Sequence, residues 1–318
     1  MSTPPAIIVS SLRKHFGEVR AVDGLSFEVS AGEIFGLVGP DGAGKTTTLR
    51  MLAGVLSADS GSAQVAGCDV VSNPESAKFQ LSYMSQRFGL YEDLTVDENL
   101  RFYADLFGVP RKLRTRRSQE LLAAAGLGDF RSRLAGNLSG GMKQKLGLVC
   151  SLIHTPKVLL LDEPTNGVDP VSRRDFWRIL YSLLAEGVAI LASTSYLDEA
   201  ERCHRVGLLY QGRMLFCDRP DELKRKFPGE ILAVHAAQPG KVRDVLAHAP
   251  GVRSALLVGD RVHLFVDEAA RRLADLRARL ESAGIVYDSI QPVAPTIEDL
   301  FVSAVESAPE AAGETKIS

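Results

Sequence analysis

The stretch GPDGAGKTT at residues 39–47 constrains the fold more than any other part of the sequence. It fits the pattern G-x-x-x-x-G-K-[ST], with Gly39, Gly44, Lys45 and Thr46 at the fixed positions. The glycines allow backbone N–H groups to turn inward around phosphate oxygens, and a helix that starts here adds the positive end of its dipole. The apolar run EIFGLVG before it predicts a buried strand, and KTTTLRMLAGV after it predicts a helix. The stretch therefore predicts a strand–loop–helix unit that binds phosphate.

The residues of this stretch also suit a nucleotide that carries a magnesium ion. Lys45 can reach the β- and γ-phosphates as a point charge, and the Thr46 hydroxyl can serve as a Mg²⁺ ligand. The alternative is a tight glycine turn that binds no ligand. The residues that we expect to line the phosphate site are Gly39, Pro40, Asp41, Gly42, Ala43, Gly44, Lys45, Thr46 and Thr47.

Two adjacent carboxylates end another apolar run, LLLDEP at 159–164. Asp162 and Glu163 would stand at the end of a buried strand, where two charges require a cation or a polar partner. Beside a bound triphosphate, Asp162 would hold Mg²⁺ through water, and Glu163 would orient and polarise the attacking water. The alternative is an ordinary strand end that reaches solvent.

A serine and two glycines open a further helix in NLSGGMKQKLGLV at 137–149. Ser139, Gly140 and Gly141 form a second helix start of the kind that binds anions. A phosphoryl group in transfer carries charge on three equatorial oxygens, so donors on more than one side stabilise it. The sequence thus contains two helix starts that suit phosphate groups.

Apolar runs alternate with helical patterns over about the first 225 residues, which predicts a parallel sheet covered by helices on both faces. We expect an α/β nucleotide-binding domain over 6–227, in which the segment at about 95–156 is a helical subdomain. The order β-α-β-β-α-β then predicts a small ferredoxin-like α+β domain over 230–306. The polar segment 307–318 is expected to be disordered.

Composition narrows the setting in which such a chain works. Its 318 residues are 45% hydrophobic, and the net charge of −2 gives no reason to expect a nucleic-acid partner. The four cysteines lie far apart without a CxxC pair, which indicates reduced thiols in a cytosolic protein. The sequence contains neither a signal-peptide pattern nor an apolar run of about 20 residues. A separate chain would therefore have to cross any membrane that this protein serves.

These motifs together resemble those of the ATP-binding subunits of ABC transporters, over about residues 6–225. GPDGAGKTT and LLLDEP are similar to the Walker A and Walker B motifs of that family, and LSGGMKQ is similar to its signature motif. The closing PTIEDLF at 295–301 resembles the branch that includes drug and antibiotic exporters. The resemblance implies a P-loop NTPase fold of the ABC cassette type, with a mixed or parallel core sheet, that binds ATP and Mg²⁺ and hydrolyses the ATP.

Further residues take their roles from the resemblance alone. Gln86 lies where the family has a glutamine that touches Mg²⁺ and the membrane partner, and Asp169 lies in the D-loop. Phe16 stands where the family stacks an aromatic ring on adenine, a sensible use of a flat apolar face. Two cassettes would face head to tail, so that Ser139, Gly140 and Gly141 cover the γ-phosphate held by the Walker motifs of the second cassette.

The resemblance also implies partners and a place in the cell. We expect a separate integral membrane permease, a second identical or different cassette, and a peripheral position on the cytoplasmic face of the cell membrane. Export of drugs or other small hydrophobic compounds is the expected task. The alternative is a soluble ABC ATPase without a transport role, although the sequence lacks the second cassette or coiled-coil insertion that is usual in those branches.

One position departs from the family pattern. The strand end at 193–195 usually reads Ser-Thr-His, and its histidine is expected to contact the γ-phosphate and to hold the attacking water with the glutamate. Ser195 is shorter and carries no positive charge, and the loss of such a contact costs about 3–4 kcal/mol. We do not expect His204 to replace it. Either Glu163 suffices for hydrolysis, or this chain is the slow, degenerate half of a heterodimeric pair.

Overall fold

The computed structural model describes residues 4–87 and 89–307. Over these residues the chain forms two compact units, which divide between Asp218 and Arg219. The segment 307–318, which we expect to be disordered, lies outside the described residues apart from Ser307. No helix within the described ranges is both long and apolar enough to cross a membrane.

The first unit contains two β-sheets and a set of helices. Its strands are β1 (Ile7–Phe16), β2 (Val19–Val29), β3 (Ile34–Val38), β4 (Ser60–Val65), β5 (Cys68–Asp69), β6 (Leu81–Met84), β7 (Val158–Asp162), β8 (Ala189–Thr194), β9 (Arg205–Tyr210) and β10 (Arg213–Asp218). Its helices are α1 (Lys45–Leu52), α2 (Val96–Leu106), α3 (Arg111–Ala124), α4 (Gly140–Leu152), α5 (Pro170–Leu184) and α6 (Leu197–Ala200).

A six-stranded sheet with the order β10-β9-β3-β8-β7-β6 forms the centre of this unit. The strands from β9 to β6 in this order are parallel, and the edge strand β10 is antiparallel to β9. Every residue of β3, β7 and β8 is buried, as expected of parallel strands that are covered on both faces. The sheet confirms the predicted α/β core, and it brings the carboxyl ends of β3, β6, β7 and β8 to one edge.

The second sheet is antiparallel, with the order β2-β1-β4-β5, and it is not among the elements predicted from the sequence. The alternation of apolar and polar residues that marks such strands is broken in β1, because the register with β2 shifts between Val9 and Leu12. Buried side chains of this sheet pack in one core with residues of β3 and α1, including Leu37 and Leu49. The sheet carries Phe16 at the end of β1.

Helices α2, α3 and α4 lie between β6 and β7, in the segment that sequence analysis marks as helical. Helix α2 begins with a capping box, in which the Thr95 hydroxyl accepts a hydrogen bond from the Glu98 N–H and the Glu98 carboxylate accepts one from the Thr95 N–H. Buried Asn99 joins this helix to the preceding loop through two hydrogen bonds with the backbone of Tyr91. Helix α4 begins directly after Ser139.

The second unit is a small α+β fold. Its elements are α7 (Pro220–Arg225), β11 (Glu230–His235), α8 (Pro239–Leu246), β12 (Val252–Val258), β13 (Arg261–Val266), α9 (Ala269–Ser282), β14 (Ser289–Val293) and α10 (Ile297–Ser307). Its sheet has the order β12-β13-β11-β14, with all neighbouring strands antiparallel. Side chains of α8 and α9 pack on one face of this sheet. The order of elements from β11 to β14 confirms the predicted ferredoxin-like unit.

The opposite face of that sheet carries a buried histidine–aspartate pair. His263 alternates with core residues along β13, and its Nδ1 lies 2.9 Å from Oδ1 of Asp299 in α10. Asp299 Oδ2 accepts hydrogen bonds from the Thr296 N–H at 2.8 Å and the Thr296 hydroxyl at 2.7 Å. The closing motif PTIEDLF therefore ties α10 to the sheet.

Candidate nucleotide-binding site

The glycine-rich loop joins β3 to α1 at the sheet edge where the parallel strands end. Gly44 has a φ of +103°, which an L side chain rarely adopts, and a Cβ at this position would collide with the carbonyl oxygen of Ala21. A Cβ at Gly39 would collide with the carbonyl oxygen of Leu209. These two glycines are therefore required because neighbouring backbone runs against the loop. Pro40, Asp41 and Gly42 are exposed at its tip, whereas Ala43 and Gly44 are buried.

Lys45 is held inside this loop. It is 4% exposed, and its Nζ donates to the carbonyl oxygens of Gly39 at 2.7 Å and Pro40 at 2.9 Å. The same Nζ lies 3.3 Å from Oε1 of Glu163. The ammonium group thus stands between the loop and the end of β7, where it can bind an anion that enters between them.

Asp162 is the last residue of β7 and is 1% exposed. Its Oδ1 accepts hydrogen bonds from the hydroxyls of Thr46 and Ser193, both at 2.8 Å, and its Oδ2 accepts one from Tyr83 at 3.1 Å. Burial, followed by the charge of Asp162, raises the pKa of Tyr83 to about 12, so the phenol stays protonated as a donor. The carboxylate is therefore surrounded by hydroxyl oxygens, a donor set that suits Mg²⁺.

Glu163 follows in a left-handed backbone conformation, with a φ of +46°. Its N–H points to β8, where the hydroxyl of Ser193 accepts it at 3.0 Å. This turn directs the side chain toward the loop, and its Oε2 accepts hydrogen bonds from Nε2 of Gln86 at 3.3 Å and from Nδ2 of Asn166 at 3.2 Å. The strained conformation lies at the residue for which a chemical role is expected.

The structure thus brings Lys45, Thr46, Asp162, Glu163 and Gln86 together. Gln86 is an exposed residue just past the end of β6, which pairs with β7 in parallel. Its side chain reaches the carboxylate that ends the neighbouring strand because parallel strands end at the same edge of a sheet.

Ser195 lies directly after β8 and is half-buried. His204, which could have replaced a histidine at this place, is engaged elsewhere, since its Nδ1 accepts a hydrogen bond from the N–H of Ile34 at 3.1 Å. Ile34 begins β3, whereas the glycine-rich loop follows the other end of that strand. The length of β3 therefore separates His204 from the loop.

The signature-like residues form a helix start of their own. The Ser139 hydroxyl caps α4 by accepting a hydrogen bond from the Met142 N–H at 3.3 Å. Gly140 is exposed, and a Cβ on Gly141 would lie 2.5 Å from the Cβ of Ser172. Among the hydrogen bonds of the described residues, none joins this helix start to the glycine-rich loop of the same chain.

Asp169 caps the neighbouring helix α5, and its carboxylate accepts hydrogen bonds from the N–H groups of Ser172 at 2.9 Å and Val171 at 3.1 Å. The hydrogen bond from the Ser172 backbone is the main cause that lowers the pKa of Asp169, so this cap stays ionised.

Phe16 stands apart from these groups on the second sheet. Its ring is 51% exposed, and Lys14 Nζ lies 5.6 Å from the ring centroid.

A second layer of residues lies behind this edge, and none of them is among the residues predicted from the sequence. Glu199 is 1% exposed, and it accepts hydrogen bonds from the hydroxyls of Thr165 at 2.5 Å and Thr194 at 2.9 Å. Arg173 Nε lies 3.5 Å from the same carboxylate. These contacts tie the turn after β7 to the turn after β8. The sequence does contain a sign of this layer, because residues with hydroxyl groups end β8 and acidic residues follow them.

Asn166 and Tyr196 are also missed, and they link the same two turns. The Tyr196 hydroxyl donates to Oδ1 of Asn166 at 3.2 Å, and Asn166 in turn donates to Glu163. The Tyr196 ring lies 4.6 Å from the guanidinium carbon of Arg173. A single sequence gives no sign of this pairing, because the two residues are far apart in the chain.

Known proteins carry the same pattern. A family model described as ABC transporter matches residues 22–166. The chain is 45% identical over 307 residues to the probable multidrug ABC transporter ATP-binding protein YbhF of Escherichia coli strain K12, which covers 95% of this chain and 52% of that protein. It is 35% identical over 302 residues to the daunorubicin resistance ATP-binding protein DrrA2 of Streptomyces coeruleorubidus, which covers 93% of this chain and 94% of that protein.

A solved structure agrees with these relatives. It is described as the structure of an ATP binding subunit of an ABC transporter, and it superposes with a TM-score of 0.64 at 31% identity over 70% of this chain and 93% of that chain. The chain spans about half the length of YbhF. On the match to DrrA2 over nearly the whole of both proteins, the chain belongs to the family of ABC transporter ATP-binding subunits.

Proposed function

We propose that this chain hydrolyses Mg·ATP and that the cycle drives a separate membrane permease, which exports drugs or other small hydrophobic compounds. The observation that carries the proposal is the convergence of Lys45, Asp162 and Glu163 at one sheet edge, at the start of α1. The printed names of the relatives, which refer to multidrug and daunorubicin resistance proteins, support the export of such compounds.

Binding of the triphosphate would use the backbone of the glycine-rich loop and Lys45. In the structure, Lys45 pairs with Oε1 of Glu163. When Lys45 turns to the phosphate oxygens, it leaves Oε1 free to accept a hydrogen bond from a water molecule. The exposed ring of Phe16 offers a flat face to the adenine.

The oxygen atoms around Asp162 fit a magnesium ion. Thr46, Asp162 and Gln86 would hold it, since Mg²⁺ prefers hydroxyl, carboxylate and amide oxygens. The ion would neutralise charge on the β- and γ-phosphates. Half-buried Tyr83 and buried Ser193 hold Asp162 in place through their hydrogen bonds, so the carboxylate is fixed before the nucleotide enters.

Hydrolysis would use Glu163 as the general base, because its carboxylate lies next to the ammonium group of Lys45, which would bind the terminal phosphate. Glu163 would accept the proton of the attacking water at Oε1. Ser139, Gly140 and Gly141 of a second cassette would supply donors from the opposite side. The exposure of Gly140 supports that use, as does the absence, among the described residues, of a hydrogen bond between this helix start and its own loop.

A cavity of about 410 Å³ beside β6 and α2 supports a docking site for the permease. Apolar side chains line most of it, and Phe79 and Leu106 are 69% and 61% exposed at its rim. Strand β6 forms one wall and leads directly to Gln86. Movement of a helix seated in the cavity would thus reach Glu163 through Gln86. Such a partner implies a peripheral position on the cytoplasmic face of the membrane.

The proposal is tested by a direct titration of the chain with Mg·ATP, followed by an assay of phosphate release. We expect wild type to bind and to release phosphate, and Lys45→Ala to lose both. Equal affinity of Lys45→Ala and wild type would contradict the proposed site. Co-purification with a membrane protein tests the transport role against an ABC ATPase without transport.

A second candidate is an ATP-dependent dimer that forms without turnover, or that turns over slowly as one half of an asymmetric pair. Ser195 favours it, because serine replaces the histidine expected at this strand end. ATP-dependent dimerisation without phosphate release would support this candidate. Phosphate release by the purified chain at the rate of ordinary cassettes would exclude it.

A further inference from the structure

The carboxylate of Glu163 has two amide donors on one of its oxygens. Nε2 of Gln86 and Nδ2 of Asn166 both point at Oε2, whereas Oε1 has Lys45 as its partner. A general base works only if the oxygen that receives the proton faces the water. The amide donors fix Oε2 and thereby leave Oε1 toward the phosphate loop.

Asn166 can hold Glu163 only in one of its two amide orientations. If the amide were turned over, its carbonyl oxygen would face the carboxylate, and the two acceptors would repel each other. The Tyr196 hydroxyl selects the productive orientation, because it donates to Oδ1 of Asn166 at 3.2 Å and so leaves the NH₂ group on the side of Glu163.

Tyr196 is itself well fixed. Its N–H donates to the Thr194 hydroxyl at 3.0 Å, and Thr194 in turn donates to the buried carboxylate of Glu199. Its ring faces the guanidinium of Arg173, which is paired with the same Glu199. The hydroxyl of Tyr196 therefore stands at the end of a rigid arrangement, whereas Asn166 alone lies on an exposed turn.

We infer that Tyr196, acting through Asn166, is a positioning residue for Glu163, and that the pair orients this base in a chain where Ser195 replaces a histidine. The inference rests on the proposed function, since it assigns a role in the hydrolysis of ATP. Neither residue need touch the nucleotide. The pair sets the direction of Oε1, so it affects the chemical step and not the affinity for Mg·ATP.

The test is the substitution Tyr196→Phe, which removes the hydroxyl and keeps the ring that faces Arg173. We expect kcat for phosphate release to fall about tenfold, with the Kd for Mg·ATP and the melting temperature unchanged. Asn166→Ala should lower kcat by a similar factor, and because Asn166 is exposed this variant is expected to fold. The matched control is Tyr181→Phe, which removes a hydroxyl that donates to the Arg202 carbonyl oxygen at 2.8 Å, away from Glu163.

The outcomes separate the two proposals. If Tyr196→Phe and Asn166→Ala hydrolyse ATP as fast as Tyr181→Phe, while Lys45→Ala is inactive, the positioning role is wrong and the proposed function stands. If wild type releases no more phosphate than Lys45→Ala, the proposed function fails and the inference with it. In a Glu163→Gln background, measured under single turnover, Tyr196→Phe should have no further effect. A further tenfold loss there would show that the hydroxyl acts on something other than Glu163.

Discussion

Two carboxylates, half-buried Glu163 in the first unit and buried Asp299 in the second, are each held by several donors, yet they are held in different ways. Asp299 is 0% exposed, and its partners are His263 on the adjacent strand and Thr296 at the start of its own helix. Glu163 follows a strand end, and its partners come from the glycine-rich loop, the segment after β6 and the turn that follows β7.

The difference distinguishes a carboxylate that only stabilises the fold from a carboxylate that can take part in a reaction. The oxygens of Asp299 are saturated by short hydrogen bonds within a closed part of the sheet and helix, so the group can only stabilise the unit. One oxygen of Glu163 faces a lysine that is itself able to bind an anion, so this contact can be exchanged for another. A parallel sheet leaves room for such an exchange, because the ends of its strands meet at one accessible edge. The faces of the antiparallel sheet in the second unit are instead covered by helices.

The sharpest way to test the difference is Glu163→Gln. A carboxamide cannot accept the proton of water, so we expect kcat to fall about 10²–10³-fold while the melting temperature changes little. Phosphate release at saturating Mg·ATP measures the effect. Glu186→Gln, at an exposed position after α5, is the control and should leave kcat unchanged. A Glu163→Gln variant as active as this control would remove Glu163 from the chemistry.

The opposite pattern is expected for Asp299→Ala. It leaves His263 without its partner and removes the carboxylate that accepts two hydrogen bonds from Thr296 at the start of α10, so we expect the free energy of unfolding of the second unit to fall by about 2–4 kcal/mol. ATP hydrolysis per folded molecule should be unchanged. The matched control is Asp260→Ala, since Asp260 lies 2.8 Å from Nε2 of His235 but is 72% exposed, and its loss should have little effect. Equal denaturant midpoints for the two variants would show that burial does not distinguish these pairs.

A smaller gain of function is expected from Ser195→His. An imidazole at this strand end would add a longer, chargeable donor next to Glu163, so we expect kcat to rise about tenfold over wild type. The affinity for Mg·ATP should change less than kcat. A steady-state assay on the purified chain measures both. No change in kcat would mean that the arrangement around Glu163 does not need the histidine.

The smallest effect concerns an exposed carboxylate of the first unit, Asp59. A hydrogen bond from Lys14, followed by one from the His15 N–H, lowers the pKa of Asp59 from 3.8 to about 2. The folded state therefore gains stability from the ionised group above pH 4, and this gain is lost as the pH falls to about 2. Asp59→Asn should have a slightly lower urea midpoint than wild type at pH 7, and the two midpoints should converge near pH 2. A constant difference across this range would contradict the assignment.

Much of this molecule could be predicted from short patterns. The strand–loop–helix unit around Lys45 and the LLLDEP strand end carry their own chemistry, and the ferredoxin-like order of the second unit follows from alternating apolar segments. The sheet that carries Phe16 could not be predicted in the same way, because the register shifts of β1 break its alternation. Ser193, Asn166 and Tyr196 also escape prediction, since each acts through a partner that the chain brings close only when the sheet forms.

The cap of helix α4 has a consequence for how two chains could share a phosphate. A hydroxyl carries one proton and two lone pairs, and the Met142 N–H occupies only a lone pair of Ser139. The proton therefore remains free to be given to an oxygen of a neighbouring molecule. The cap of the helix uses a lone pair of the Ser139 oxygen, and recognition across a dimer would use the proton of the same hydroxyl. The two roles therefore do not compete.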